Sequence, residues 1–180
     1  MLLFLLLLEN DVSTRQTMEI DAYLHHCQTD PCFICEIVTG YPEEQYRVIY
    51  ENESIIVFLN KYPTLYGYTL VAPKEHCENS IEDFTITEYL SLQITIYWVA
   101  QAVKQEVPTE RIYILTLGSR QGISHVHWHI APLPPNVPYK EQQLEALNFK
   151  KGILKLSKEE MTSLAKRIRS RMEDTKNLLF

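Results

Sequence analysis

"SHVHWHIAPLPP", residues 124–135, sets His125, His127 and His129 at every second position. Such alternation is the mark of a strand, because side chains at i, i+2 and i+4 share one face of it. A strand over residues 125–131 puts the three imidazoles on one face and directs Val126, Trp128 and Ile130 into a core under a helix. The prolines after Ala131 end the sheet. The spacing by itself leaves three readings open. One is a solvated strand face. Another is a zinc site with an open position for water. However, the first and last positions lie about 13 Å apart at 3.3 Å per residue, which makes convergence of all three rings on one ion difficult. The third is covalent catalysis, in which the central imidazole attacks a phosphorus while its neighbours orient it and bind phosphate oxygens.

Working outward, residues 46–50 (YRVIY) and 55–59 (IIVFL) are β-branched and aromatic, with "ENES" as a hairpin turn between them. Residues 69–73 (TLVAP) form a third strand after the loop "YPTLYG". Thr85 and Glu88 have the spacing of a capping box. Beyond it Tyr89, Leu92, Ile96, Val99, Ala100 and Val103 recur at three- and four-residue steps, which predicts an amphipathic helix of about five turns ending before Pro108. Residues 112–117 (IYILTL) are a fourth strand, "GSRQG" is a polar loop, and the histidine stretch is the fifth strand. Ser157 and Glu160 make a second capping box, opening a terminal helix. The order predicts an α+β fold: a mostly antiparallel five-stranded sheet, a long helix and a C-terminal helical extension.

A chain of 180 residues suits one domain with a sizeable core. Its net charge of −6, from 17 basic and 23 acidic side chains, argues against a nucleic-acid polymer as partner, yet leaves room for a small anionic ligand held by local donors. The opening "MLLFLLLLEN" has an apolar run far shorter than the roughly 20 residues that span a bilayer, and it lacks a basic flank and a cleavage site. Residues 1–17 are therefore set aside from fold reasoning as a disordered lead-in or a mis-called start, with Met18 as a second possible start. No membrane partner is expected. Of the four cysteines, Cys27, Cys32, Cys35 and Cys77, the CxxC pair Cys32 and Cys35 points to metal or redox chemistry in a cytoplasmic setting.

The stretch "HVHWHIAP" resembles the signature of the histidine triad (HIT) family of nucleotide hydrolases and transferases. Further blocks are similar to that family: "CFICEIVTG", "VIYENESIIVFLNKYP", "GYTLVAPKEHCEN" and "YILTLG" leading into "SRQGISHVHWH". The resemblance covers about residues 31–133. It implies a HIT domain over 18–133, a C-terminal extension over 134–180, and a homodimer.

The same resemblance implies roles. His127 is the nucleophile toward the α-phosphorus of a nucleoside phosphate ester, amidate or dinucleoside polyphosphate, and forms a nucleotidyl-histidine intermediate. An imidazole suits this because it is substantially neutral at pH 7. His129 binds phosphate oxygens or the leaving-group side, and Gln121 reaches a bridging or phosphate oxygen. Gly122 stands where many members carry Ser or Thr, so Ser119, Arg120 or Ser124 is left to supply that donor. Asn60 meets the ribose hydroxyls, with Phe58 and Leu59 lining or backing the base pocket. Tyr68 replaces the family's usual His beside the triad; a phenol donates a hydrogen bond but is no cation at neutral pH. Members similar to this chain bind structural zinc, and the matching ligands are Cys32, Cys35, His76 and His125. A closed Cys₂His₂ site leaves no catalytic cofactor to be expected. The alternatives are a nucleotidyltransferase or phosphorylase of the same family, a non-enzymatic nucleotide-binding protein, and a hydrolytic metalloenzyme.

Overall fold

The computed structural model describes residues 14–117 and 123–179. Its centre is a five-stranded antiparallel sheet. In chain order the elements are β1 (Arg15–Gln16), α1 (Ile20–Thr29), α2 (Phe33–Val38), β2 (Val48–Glu51), β3 (Ile55–Leu59), β4 (Thr69–Pro73), α3 (Ile86–Glu106), β5 (Arg111–Leu115), β6 (Trp128–Leu133), β7 (Ile153–Leu154) and α4 (Lys158–Leu179). The sheet runs β2-β3-β4-β6-β5, and β1 pairs with β7 in a separate ribbon. Residues 15–16, which fall within the expected lead-in of residues 1–17, therefore take part in the fold.

β3 and β4 read as unbroken apolar runs because both of their faces are covered. On one face α3 and α4 pack against Ile49, Val57, Val71, Trp128 and Ile130. On the other, Ile34 and Ile37 of α2 meet Val48, Ile56, Phe58, Leu70 and Ala131. The expected capping boxes are present. Thr85 and Glu88 cap α3 reciprocally, and at α4 the Ser157 N–H donates to Glu160 (2.7 Å) while the Glu160 N–H donates to the Ser157 hydroxyl (3.1 Å).

The C-terminal extension is part of the core. Met161, Leu164, Ala165, Ile168 and Met172 of α4 are buried beside α3. Arg169 donates to the carbonyls of Val48 and Ile49 at 2.9 and 2.6 Å, next to an irregularity in the β2–β3 register. That contact covers the β2 edge of the sheet with a cation, one of the ways a sheet edge is kept from pairing further.

The prediction for the fifth strand differs from the structure. β6 begins at Trp128, so His125 and His127 precede it. It also runs through Pro132, which is tolerated because β4 pairs with β6 only as far as Ile130, so Pro132, opposite Ile112 of β5, has a paired strand on one side only. The chain bends at His125, where the Val126 N–H is drawn to the Cys77 carbonyl at 2.7 Å.

Candidate active and metal site

Each imidazole of the triad is held by a different partner. The His125 ring is fully buried. Its Nε2 lies 3.0 Å from the Pro73 carbonyl at the end of β4, and that acceptor requires an Nε2–H. Its Nδ1 then presents a lone pair toward Cys32 at 3.5 Å and Cys35 at 3.6 Å. Cys35 in turn lies 3.3 Å from Nδ1 of His76. The four donor atoms of Cys32, Cys35, His76 and His125 all fall within 4.8 Å of one another. Zinc bonds of about 2.3 Å to sulfur and about 2.1 Å to nitrogen, at tetrahedral angles, require S···N edges of about 3.6 Å. The donor set and its spacing therefore fit a tetrahedral zinc ion. His76 Nε2 lies 3.5 Å from Glu78, as the outer partner of a ligating imidazole commonly does. Burial and the neighbouring Cys32 push the Cys35 thiol up to about 11, so without a cation it keeps its proton.

The elements bring these donors together from distant parts of the sequence. Cys32 is the residue before α2 and Cys35 lies in its first turn. His76 follows β4, and His125 stands at the bend before β6. Burial pushes the His125 imidazole down to about 4, with a further lowering from His76 and His127 against the opposing pull of the Pro73 carbonyl.

His127 turns away from this cluster. Its Nδ1 lies 2.8 Å from the His125 carbonyl, which requires an Nδ1–H and leaves the Nε2 lone pair free. Burial lowers its pKa, so the ring is neutral at pH 7. The Thr116 hydroxyl donates to the His127 carbonyl at 2.9 Å, tying this residue to the end of β5. The His127 and His129 rings lie 4.7 Å apart. His129 is the second residue of β6, opposite Leu70 of β4 and Leu115 of β5. Its Nδ1 meets the Tyr68 hydroxyl at 3.0 Å. Burial, then the neighbouring His127, lower its pKa to about 3.

Tyr68 follows Gly67, whose φ of +82° a β-carbon would oppose. A β-carbon there would also press on Val107, 3.1 Å away. The Tyr68 carbonyl accepts from the Asn60 N–H at 2.8 Å, so Asn60 and the histidine pair are linked across the mouth of the β3–β4 loop. Asn60 is half-buried and its Oδ1 accepts from the Tyr62 N–H at 2.9 Å. Phe58 and Leu59 are buried in the two opposite clusters, so they back this end of the sheet rather than line an open surface. Gln121, Gly122, Ser119 and Arg120 lie outside the described residues.

Three contributors were not visible as sequence patterns: the backbone carbonyls of Pro73 and His125, and Arg47. Arg47 is 1% exposed and sits beside the Phe33 and Phe58 rings. It donates to Glu44 (2.6 Å) and to the Leu59 carbonyl (2.7 Å), just before Asn60. A carbonyl has no residue type to read, and a lone Arg in a strand region carries no signal of burial.

Three differently held imidazoles at the entry to β6, the first of them within a Cys₂His₂ cluster, point to a histidine-triad protein. The HIT domain model matches residues 41–136, and the chain belongs to that family. An uncharacterized HIT-like protein of Saccharolobus solfataricus is 32% identical over 130 residues, 66% of this chain and 91% of that protein. The adenosine 5′-monophosphoramidase of Schizosaccharomyces pombe is 28% identical over 131 residues, 64% of this chain and 92% of that protein. Among solved structures, a hypothetical histidine triad nucleotide-binding protein from Sulfolobus tokodaii superposes with a TM-score of 0.66 at 30% identity, covering 81% of this chain and 94% of that one. A zinc-bound histidine triad family protein from Mycobacterium smegmatis gives 0.62 at 22% identity, covering 82% and 96%. Among the described residues, no helix is long and apolar enough to cross a membrane.

Proposed function

We propose that this chain is a cytoplasmic nucleotide hydrolase that cleaves nucleoside phosphate esters, amidates or dinucleoside polyphosphates through a nucleotidyl-histidine intermediate on His127. The observation that carries this reading is the 2.8 Å contact of His127 Nδ1 with the His125 carbonyl, which frees Nε2 for attack. Nε2 forms a bond to the α-phosphorus, and the leaving group departs with the electron pair of the broken P–O or P–N bond. Water then attacks the same phosphorus, the P–Nε2 bond breaks, and the imidazole recovers its lone pair while the water proton passes to solvent. His129 holds phosphate oxygens, Asn60 meets the ribose, and Gln121 with the loop Ser119, Arg120 and Gly122 reaches the phosphates. The phosphoramidase relative supports this class of substrate.

Cys32, Cys35, His76 and His125 would hold a zinc ion, which supplies a structural tie between α2, the exit of β4 and the start of β6. A homodimer is part of the same reading. The support is a stripe of α3, Ile86, Leu90, Ile94 and Tyr97, that is half or more exposed, together with the half-exposed Ile114 on the edge strand β5.

The test is turnover of an AMP aryl ester, adenosine 5′-phosphoramidate and diadenosine triphosphate, with and without added phosphate. The wild type is expected to release AMP without phosphate, and His127→Ala to lose activity by on the order of 10⁴-fold, as removal of a covalent nucleophile does. ADP release that depends on phosphate would make the enzyme a phosphorylase. Full activity in His127→Ala would refute the mechanism, and nucleotide binding with no product would favour a binding module.

A further inference from the structure

Two of the three histidines have tautomers set by backbone carbonyls, which can only accept. The third does not. His129 Nδ1 meets the phenolic oxygen of Tyr68 at 3.0 Å, and a phenol both donates and accepts. The burial of Tyr68 decides the direction. The residue is 6% exposed, and its hydroxyl has no other hydrogen-bond partner among the described residues. If His129 donated from Nδ1, the phenolic proton would have no acceptor among the described residues, and native interiors avoid a buried donor left unpaired. With the hydroxyl donating, both groups are satisfied. His129 Nδ1 is then the acceptor, and its remaining nitrogen, Nε2, carries the proton.

We propose that Tyr68 is a positioning residue that holds His129 as the Nε2–H tautomer, opposite to the Nδ1–H tautomer that the His125 carbonyl imposes on His127. Two neighbouring rings 4.7 Å apart thereby take complementary parts. His127 offers a lone pair to the substrate, and His129 offers a hydrogen-bond donor. Held this way, His129 has no lone pair left to act as a base toward water or another acceptor. Its part is to grip a phosphoryl oxygen. The tautomer assignment stands on the Tyr68–His129 contact alone, whereas the phosphoryl grip rests on the proposed nucleotide chemistry.

The deciding experiment is ¹⁵N NMR of histidine-labelled, zinc-loaded protein at pH 7, with His129 assigned by its loss in His129→Gln. The wild type is expected to show a pyridine-type Nδ1 and a pyrrole-type Nε2 at His129, and the reverse pattern at His127. Tyr68→Phe is expected to shift His129 toward mixed or reversed tautomers while leaving His127 unchanged. The same variant should lower kcat/KM on the AMP aryl ester about tenfold, the weight of one neutral hydrogen bond. A pyrrole-type Nδ1 at His129 in the wild type, or an unchanged His129 pattern in Tyr68→Phe, would overturn the proposal. The expected NMR pattern in a wild type that turns over no nucleotide would uphold Tyr68's hold on His129 and sink the nucleotide reading instead.

Discussion

His127 and His129 are two residues apart, and both titrate below the ordinary histidine range because both are buried. That burial has a consequence for stability. His129 has a folded pKa of about 3 against about 6.5 in the unfolded chain. Between these values the unfolded state binds the extra proton, so its contribution is whole above pH 6.5 and is lost progressively as pH falls toward 3. The melting temperature is therefore expected to drop more steeply from pH 7 to pH 5 in the wild type than in His129→Gln. Equal slopes in differential scanning calorimetry would contradict the depressed pKa. The residue scale is also where the sequence was least complete. The spacing of the triad was legible, and so was the apolar alternation of Val126, Trp128 and Ile130, all of which are buried under α3. Tyr68 beside the triad was legible through the family resemblance, whereas the partners of His125 and His127 were not, because both are backbone carbonyls, which have no residue type to read.

At the scale of elements, the cluster of Cys32, Cys35, His76 and His125 brings together α2, the exit of β4 and the bend before β6. α2 is only six residues long, too short to be stable alone, and two of its residues, Ile34 and Ile37, are buried. A zinc ion held by Cys32 and Cys35 would anchor its start to the bend at His125. Removal of the metal by a chelator should lower the melting temperature by on the order of 10 °C, corresponding to roughly 3 kcal/mol for a domain of this size. Hydrogen exchange should accelerate first in α2 and around residues 74–77, with activity falling as the structure loosens. Immediate loss of activity with an unchanged melting temperature would instead favour a hydrolytic metal. Both long helices were legible, since periodicity and capping boxes are local signals. The two shorter helices α1 and α2 were not predicted: none of the residues of α1 is buried, and α2 shows less than two turns of periodicity.

For the whole molecule, the two edges of the sheet are treated differently. α4 crosses the β2 edge, where Arg169 takes up the Val48 and Ile49 carbonyls. The β5 edge has no such cover among the described elements, and Ile114 on it is half-exposed, as is the apolar stripe of α3. An uncovered edge and an exposed apolar patch are each surfaces that a two-fold partner can bury. The double substitution Leu90→Glu with Ile94→Glu is expected to convert a dimer to a monomer in sedimentation velocity at micromolar concentration, with the far-ultraviolet circular dichroism unchanged; a wild type that sediments as a monomer would remove the dimer from the proposal. By itself the sequence determined the α+β order, the long helix and its cap, the face on which Trp128 and Ile130 pack, and which residue types were available to bind metal or phosphate. All of these follow from local periodicity or from side-chain chemistry. Only the tertiary structure decided that β6 starts at Trp128, that α4 belongs to the core, and which group holds each ring: the Pro73 carbonyl at His125, the His125 carbonyl at His127 and the Tyr68 hydroxyl at His129. Those outcomes depend on which distant backbone carbonyl or hydroxyl comes within 3 Å of a given ring, and that is settled by how the strands and loops pack together.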